Sequence, residues 1–413
     1  MSPRFQLLVR CLSPKLAGDA RLELTSLSPV GWAELVQESY YQEVLSLLYH
    51  RLDKHGLRAS IPAQIEEGMR KFYLRTLALN TRLYRQLAEA TNALDGANIA
   101  TVALKGAHLV DQVYRDLAFR TVRDIDLLVR KADAVAAAEQ LIKIGYEASG
   151  SLLTDRERTY THHFPELTRP NSHPVELHWY PVNVDRVSPL NIDVDGIIER
   201  AALTSVRGCV VRLMTPEDLL LHLCLHHSYQ HKFDLKLRHF YDLVEGLSRY
   251  QDRIDWGVLR DRALEWGALK HTYVTLMLVR DLFEFPDLER ELRSLEPSGF
   301  EHRLTAWTKS RLFSITDPNA KPPSYFCAHF ITIRRKPTLA GKARYLLRWM
   351  LLPPPFQLRL TYPRIRTGFQ VWLYYLVNIK DCLRYLLYDI HFNEEEKDRI
   401  KFEAWCSSQT LST

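Results

Sequence analysis

Between residues 32 and 95 apolar side chains recur every three or four positions (WAELVQESYYQEVLSLLYHRL, then IEEGMRKFYLRTLALNTRLYRQLAEATNAL), with a break at Gly56 and Pro62. That period predicts helices with one buried face. From Asn98 the pattern changes. Residues 98–104 form an apolar run short enough for a buried strand, 107–116 read as a helix, 122–129 as a second strand, and 132–144 as a helix stopped by Gly145. Two runs rich in aromatic and β-branched residues, 160–167 and 174–180, flank the turn-forming string RPNSH and predict further strands. From Thr215-Pro216-Glu217 the helical period returns at 216–228, 235–249, 255–268 and 270–284, the first opened by an N-cap threonine with proline at the first helical position. The order predicts an α+β chain: a helical N-terminal lobe (1–95), a core with a small mixed sheet and flanking helices (96–214), a second helical lobe capping a cleft (215–300), and a basic, mostly helical C-terminal region (301–413).

Composition adds bounds. With 413 residues, 46% hydrophobic and 25% charged, the chain can bury more than one core and has no low-complexity tract. The early apolar run FQLLV is cut by Arg10 before it could serve as a signal peptide, and no stretch reaches about 18 uncharged apolar residues. The amphipathic stretch 368–390 contains Lys380, Asp381 and Arg384, which exclude a simple span. Core packing is its expected fate, with a helix lying on a membrane as the alternative. The six cysteines (Cys11, Cys209, Cys224, Cys327, Cys382, Cys406) show no CxxC pair. A cytoplasmic protein with buried thiols and no transmembrane span is the expectation. The net charge of +6 hides an uneven distribution: 302–366 carries thirteen Lys/Arg, among them Arg334, Arg335 and Lys336, against the single acid Asp317. Such a block suits a nucleic acid, another phosphate-bearing partner or an anionic surface, or is an ordinary solvated face.

Candidate chemistry centres on Arg123-Asp124-Ile125-Asp126-Leu127-Leu128-Val129. Residues two apart on a strand share a face, so Asp124 and Asp126 project together while Ile125 and Leu127 enter the core. Two adjacent carboxylates repel unless a cation lies between them, and a hard divalent ion such as Mg²⁺ or Mn²⁺ is what their oxygens hold well. On the later strand Val175-Glu176-Leu177-His178-Trp179, Glu176 shares a face with His178 and could complete the site. Upstream, Lys105-Gly106 stands where a helix opens. There a glycine lets phosphate approach the backbone, and Lys105, the helix N-terminus and Arg120 add positive potential.

At these residues the chain resembles the DNA polymerase β-type nucleotidyltransferase superfamily. More narrowly it resembles a bacterial uncharacterised nucleotidyltransferase family found with polysaccharide and peptide natural-product biosynthesis. The shared features, in order, are Leu104-Lys105-Gly106, Tyr114, Arg120, Asp124 to Val129, Gly145-Tyr146, Glu176 to Trp179, and Leu223 with His226. The resemblance implies a polymerase β-type core and transfer of a nucleoside monophosphate from an NTP to an acceptor hydroxyl. It implies Asp124, Asp126 and Glu176 as catalytic and metal-holding residues, and Lys105, Gly106, Arg120 and Arg123 on the nucleotide. The turn departs from the superfamily's Gly-Ser form: Lys105-Gly106-Ala107 offers no hydroxyl to a triphosphate.

Alternatives remain at this level. Asp124 and Asp126 could pair with Arg120 and Arg123 as a structural edge. His162, His163, His173 and His178, or His222, His226 and His227, could hold zinc, though no fixed ligand signature accompanies them. Lys236, Arg238 and Asp242 share a helix that would cap the cleft, where the basic pair could reach substrate phosphates, or form a plain surface face. The function classes are an active transferase, a fold-retaining binding protein without turnover, and an RNA-modifying or toxin-type transferase using 302–366. The acceptor class, sugar, peptide or RNA, is open.

Overall fold

The computed structural model describes residues 2–13, 18–148, 161–183, 190–283, 288–300, 338–353, 368–389 and 394–406, with a few scattered positions between them. Seven strands, β1 (Val102–Ala103), β2 (Ile125–Leu128), β3 (Glu147–Ala148), β4 (Leu167–Thr168), β5 (Val175–His178), β6 (Ala202–Val206) and β7 (Cys209–Leu213), form one mixed sheet in the order β3-β4-β5-β2-β1-β7-β6. β2 lies antiparallel to β1 and parallel to β5, and β1 runs parallel to β7. The chain is therefore α+β, as its pattern predicts. Its central strands are shorter than the apolar runs: 98–104 supplies two residues and 122–129 supplies four. Of 160–167, residue 160 lies outside the described residues, Leu167 enters β4 and His163 makes an isolated bridge to His178. The β6–β7 hairpin is an addition to the sequence reading. Its two-residue turn puts Arg207 and Gly208 at φ of 48° and 85°, the backbone sense that matches strand twist.

Six helices precede the second strand: α1 (Pro3–Leu12), α2 (Gly18–Thr25), α3 (Pro29–Tyr41), α4 (Leu45–Lys54), α5 (Ala63–Asp95) and α6 (Lys105–Leu109). α1 opens with the Ser2 hydroxyl accepting from the Phe5 amide and buries Phe5, Leu7, Leu8 and Leu12. After β2 come α7 (Ala134–Lys143), α8 (Val194–Arg200), α9 (Pro216–Leu225), α10 (Leu237–Tyr250), α11 (Trp256–Glu265), α12 (Leu269–Phe283) and α13 (Glu289–Leu295). α9 begins as its sequence dictates, with Thr215 Oγ1 accepting from the Asp218 amide and Pro216 at the first turn. α6 and α9 each run on into a π-helical turn, 110–114 and 226–230.

Two apolar cores hold these elements. One joins the N-terminal helices to α9, α10 and α12, with Leu8, Leu48, Leu221, Phe240 and Leu278 in a single cluster. The other packs α5 and α7 on the sheet, through Leu83, Leu87, Ala137, Ile125, Leu127 and Val175. The two helical segments read as separate lobes thus share an interior. The cleft opens between that interior and the face of β2 and β5 that carries the carboxylates.

Towards the C-terminus lie α14 (Leu339–Tyr345), α15 (Gly368–Asp389) and α16 (Glu394–Cys406). Most of the basic block, including Arg334, Arg335 and Lys336, lies outside the described residues. On α15 the apolar side chains Phe369, Trp372 and Leu376 are exposed, where core packing was the expectation. Five of the six cysteines fall in described positions, and all five are buried free thiols. No helix among the described residues is long and apolar enough to cross a membrane.

Candidate active site

The parallel register of β2 and β5 sets Asp126 beside Glu176 and Leu128 beside His178, so one sheet face carries both acids and the imidazole. Alternation does the rest: Ile125, Leu127, Val175 and Leu177 are fully buried on the opposite face. Asp126 is itself buried, and its Oδ1 accepts from Lys105 Nζ at 2.9 Å and meets His178 Nε2 at 2.9 Å. The same imidazole nitrogen lies 3.2 Å from Glu176 Oε2. Asp126, Glu176 and His178 each present one donor atom within 4.8 Å of the others.

The electrostatics follow from this crowding. Burial by itself would raise the Asp126 pKa, but Lys105 and His178 hold it far below the usual carboxylate range. Burial opposes the charge on Lys105, which Asp126 nevertheless keeps protonated with a raised pKa. His178 is likewise raised against its burial by the hydrogen bonds to Asp126 and Glu176, while the His178 bond lowers Glu176. Asp124 differs. It is half-buried just before β2, makes no hydrogen bond or ion pair among the described residues, and has its pKa raised by burial and by the charge of Asp126.

Several expectations change here. Neither Arg120 nor Arg123 pairs with the acids. Arg120 is buried in a two-pronged ion pair with Asp242, at 2.7 and 2.9 Å, and the Tyr114 hydroxyl donates to the same carboxylate at 2.8 Å. Tyr114, Arg120 and Asp242 therefore tie the core to α10, and Arg120 lines the cleft wall as part of that tie. Arg123 is exposed and reaches Glu43 at 2.6 Å. Gly106 lines the cleft, and a Cβ there would lie 2.6 Å from Val122 Cγ1 and 3.0 Å from an Arg120 guanidinium nitrogen. The glycine is needed for packing. The unusual backbone belongs to Lys105, at φ +40°, a conformation costing a non-glycine residue about 1–3 kcal/mol. Among the described residues, Asp126, Glu176 and His178 each place one possible ligand atom within 4.8 Å of the others, and Asp124 lines the same cleft.

The cleft has a volume of about 610 Å³, a size that accommodates a nucleotide. Its far wall comes from the π-helical turn after α9 and the start of α10, where His226 and His231 face Lys236, Arg238 and His239. Burial pushes the His231 imidazole down to about 4 and His226 and His239 well below their usual value. Of the first histidine set, His162, His163 and His178 gather with ring centroids 4.3–5.4 Å apart while His173 turns away to the backbone oxygens of Arg123 and Leu79; His222, although fully buried, belongs to no metal-sized group among the described residues. Glu43, on the loop after α3, was invisible as a site residue because nothing nearby in sequence marks it.

Comparison with known proteins agrees with this geometry at the level of family. No curated protein matches the chain. Among solved structures, the antibiotic-resistance factor ANT(2'')-Ia shares 12% identity over 52% of this chain and 99% of its own, with a TM-score of 0.31. An antigenic nucleotidyltransferase-like protein from Paracoccidioides brasiliensis shares 16% identity over 52% of this chain and 93% of its own, with a TM-score of 0.32. The profile of the uncharacterised nucleotidyltransferase family matches residues 28–284, from the N-cap of α3 to the end of α12. That match spans more than half of the chain and all of the cleft, and the protein belongs to the uncharacterised nucleotidyltransferase family.

Proposed function

We propose that the cleft transfers a nucleoside monophosphate from a metal-bound NTP to a hydroxyl of an acceptor. The observation that carries this reading is Asp124: a half-buried carboxylate without a partner, beside a second buried carboxylate and in the same cleft as a third. Such a charge is costly unless a cation joins it. The groups fit a divalent ion, since Asp126, Glu176 and His178 converge within 4.8 Å, with His178 giving up its proton to bind as neutral imidazole. Such an ion supplies positive charge against the donor phosphates. An imidazole among the donors suits Mn²⁺ better than Mg²⁺, which favours an all-oxygen shell.

The chain's own residues do the remainder. Asp126 and Glu176 are fixed by strand register, so their oxygens need little reorganisation to hold the ion. Lys105, which pairs with Asp126 at 2.9 Å, lines the cleft and would lend its charge to the phosphates if an ion took its place on that carboxylate. Polysaccharide or peptide natural-product biosynthesis is the setting the family resemblance suggests, and the acceptor is to be found by experiment.

The test combines a melt with product analysis. Wild type should show a Mn²⁺-dependent rise in melting temperature and should label an acceptor in cell extract from an α-labelled NTP. Asp124→Asn should fold with equal or slightly higher metal-free stability, because an unpaired charge is removed, and should lose the labelling and most of the metal shift. A wild type with no shift at millimolar Mn²⁺ and no labelling with any NTP would refute the transferase reading. A retained shift without labelling would favour the binding-protein alternative.

A further inference from the structure

A triphosphate needs a grip, and the Lys105-Gly106 turn is a poor one. α6 is a five-residue segment that turns π-helical at 110, a Cβ at Gly106 would meet Val122, and Lys105 is engaged by Asp126. Arg120 is committed to Asp242. The remaining cations lining the cleft, Arg123, Lys236 and Arg238, all converge on one carboxylate. Glu43 lies 2.6 Å from Arg123, 2.9 Å from Lys236 and 2.9 Å from Arg238.

The setting of Glu43 is that of an occupant. Its side chain is nearly buried, and its backbone is held at φ +60°, a strained value for glutamate. The preceding residue caps the helix it faces: Gln42 Oε1 accepts from the Leu237 amide at 3.0 Å and the Gln42 carbonyl from the Arg238 amide at 3.2 Å. Glu43 thus brings its negative charge to the positive end of α10, a 14-residue helix, and to three cations. Three cations against one carboxylate leave an excess of positive charge at the cleft mouth.

We propose that Arg123, Lys236 and Arg238 are the binding site for the polyphosphate tail of a nucleotide, and that Glu43 occupies this site in the empty cleft and is displaced by the phosphates. The proposal rests on the nucleotidyltransferase reading and adds to it the place and the competitor of the triphosphate. Guanidinium and ammonium groups match phosphate oxygens in geometry and charge. A polyphosphate carries several negative charges and more acceptor oxygens than one carboxylate, so the exchange is favourable once the ligand is present. Glu43 then disfavours tails with few charges, selecting triphosphates over monophosphates.

Calorimetric titration with inorganic tripolyphosphate at low salt, without divalent ions, tests it. Glu43→Gln removes the competitor and should tighten tripolyphosphate binding about five- to tenfold. Glu67→Gln, which removes one charge from the exposed face of α5, should change it less than about twofold. Arg123→Ala should weaken binding about threefold or more. Because Arg123 is 75% exposed, that variant keeps the test decisive if Glu43→Gln does not fold. A purely structural latch between α3 and α10 predicts the reverse for Glu43→Gln, lower stability with unchanged or weaker binding. That result, or a wild type that does not bind tripolyphosphate, would overturn the proposal. The transfer reading fails separately, by absence of the Mn²⁺ shift and of labelled product.

Discussion

Lys105 stands in the structure where a metal ion would meet Asp126, and replacing it tests that substitution of one cation for another. Lys105→Met keeps the length of the side chain and removes the charge. Removing one partner of a buried pair costs about 3–5 kcal/mol when the other is left unpaired. Here Asp126 Oδ1 keeps His178 at 2.9 Å, and the lysine side chain is 18% exposed, so about 2 kcal/mol is the reasonable loss. For a chain of this size that is a fall in melting temperature of about 2 °C. In wild type an arriving ion must first break the Lys105–Asp126 contact, whereas in the variant it need not. Mn²⁺ should therefore bind Lys105→Met more tightly by up to the same 2 kcal/mol, about thirtyfold in affinity. Calorimetry with Mn²⁺ and melts with and without the ion measure both quantities. The expected pattern is a variant less stable without metal and restored by it. Equal or weaker Mn²⁺ binding in Lys105→Met would mean that the lysine is not holding the metal's place, and the coupling between lysine and ion would be wrong.

Two further outcomes follow from packing and from titration. Gly106→Ala should destabilise the fold by about 1–3 kcal/mol, because the new Cβ meets Val122 at 2.6 Å, and Gly106→Ala with Val122→Ala should recover much of the loss in chemical denaturation. If Gly106→Ala were neutral in stability, the glycine would be serving something other than packing. Burial holds His108 and His231 down at about 4, His222 and His271 at about 3, and His162 at about 2. Each is neutral when folded and takes up a proton near pH 6.5 when unfolded. Their contribution is thus complete above that pH and is lost as pH falls toward 4. His178, raised instead, works in the opposite sense but is one group against five. Stability should drop by about 5 kcal/mol between pH 6.5 and 5, half the full sum being allowed for residual solvation. A flat denaturation profile over that range would contradict neutral burial of these histidines.

The fold was legible where periodicity and local signals agree. α9 starts at Pro216 because a capping threonine and a proline say so, and α7 stops before Gly145, whose φ of +94° a side chain would resist. The strands were over-long in the reading because hydrophobicity marks burial and not pairing. Ile99 and Leu104 are buried, yet only Val102 and Ala103 pair within β1. The β6–β7 hairpin carries its own signal, a two-residue Arg207-Gly208 turn between alternating residues. α1 covers the apolar run FQLLV, which Arg10 excludes as a signal peptide, and Ser2-Pro3 caps it in the same manner as Thr215-Pro216 caps α9.

The site was legible as far as strand alternation carries. It places Asp124 and Asp126 on one face and Glu176 with His178 on one face, but the parallel pairing that joins the two faces is a long-range event with no local mark. The larger difference lies in what neutralises the acids. Sequence proximity favoured Arg120 and Arg123; in the structure their charges are drawn 122 residues away to Asp242 and 80 residues away to Glu43, while Lys105 reaches Asp126 through a left-handed backbone. A binding cleft for a metal–polyphosphate pair must present both an acidic and a basic surface, and an empty one would carry both charges unpaired at close range. Here a lysine lies on the acidic surface and a glutamate on the basic one. In the reading proposed above, each internal charge stabilises the ligand-free cleft and gives way to the ligand charge of the same sign. The two substitutions that remove them, Lys105→Met and Glu43→Gln, should accordingly sharpen opposite halves of the ligand, the first the metal and the second the polyphosphate, a crossed pattern that a single nonspecific loosening of the cleft would not produce.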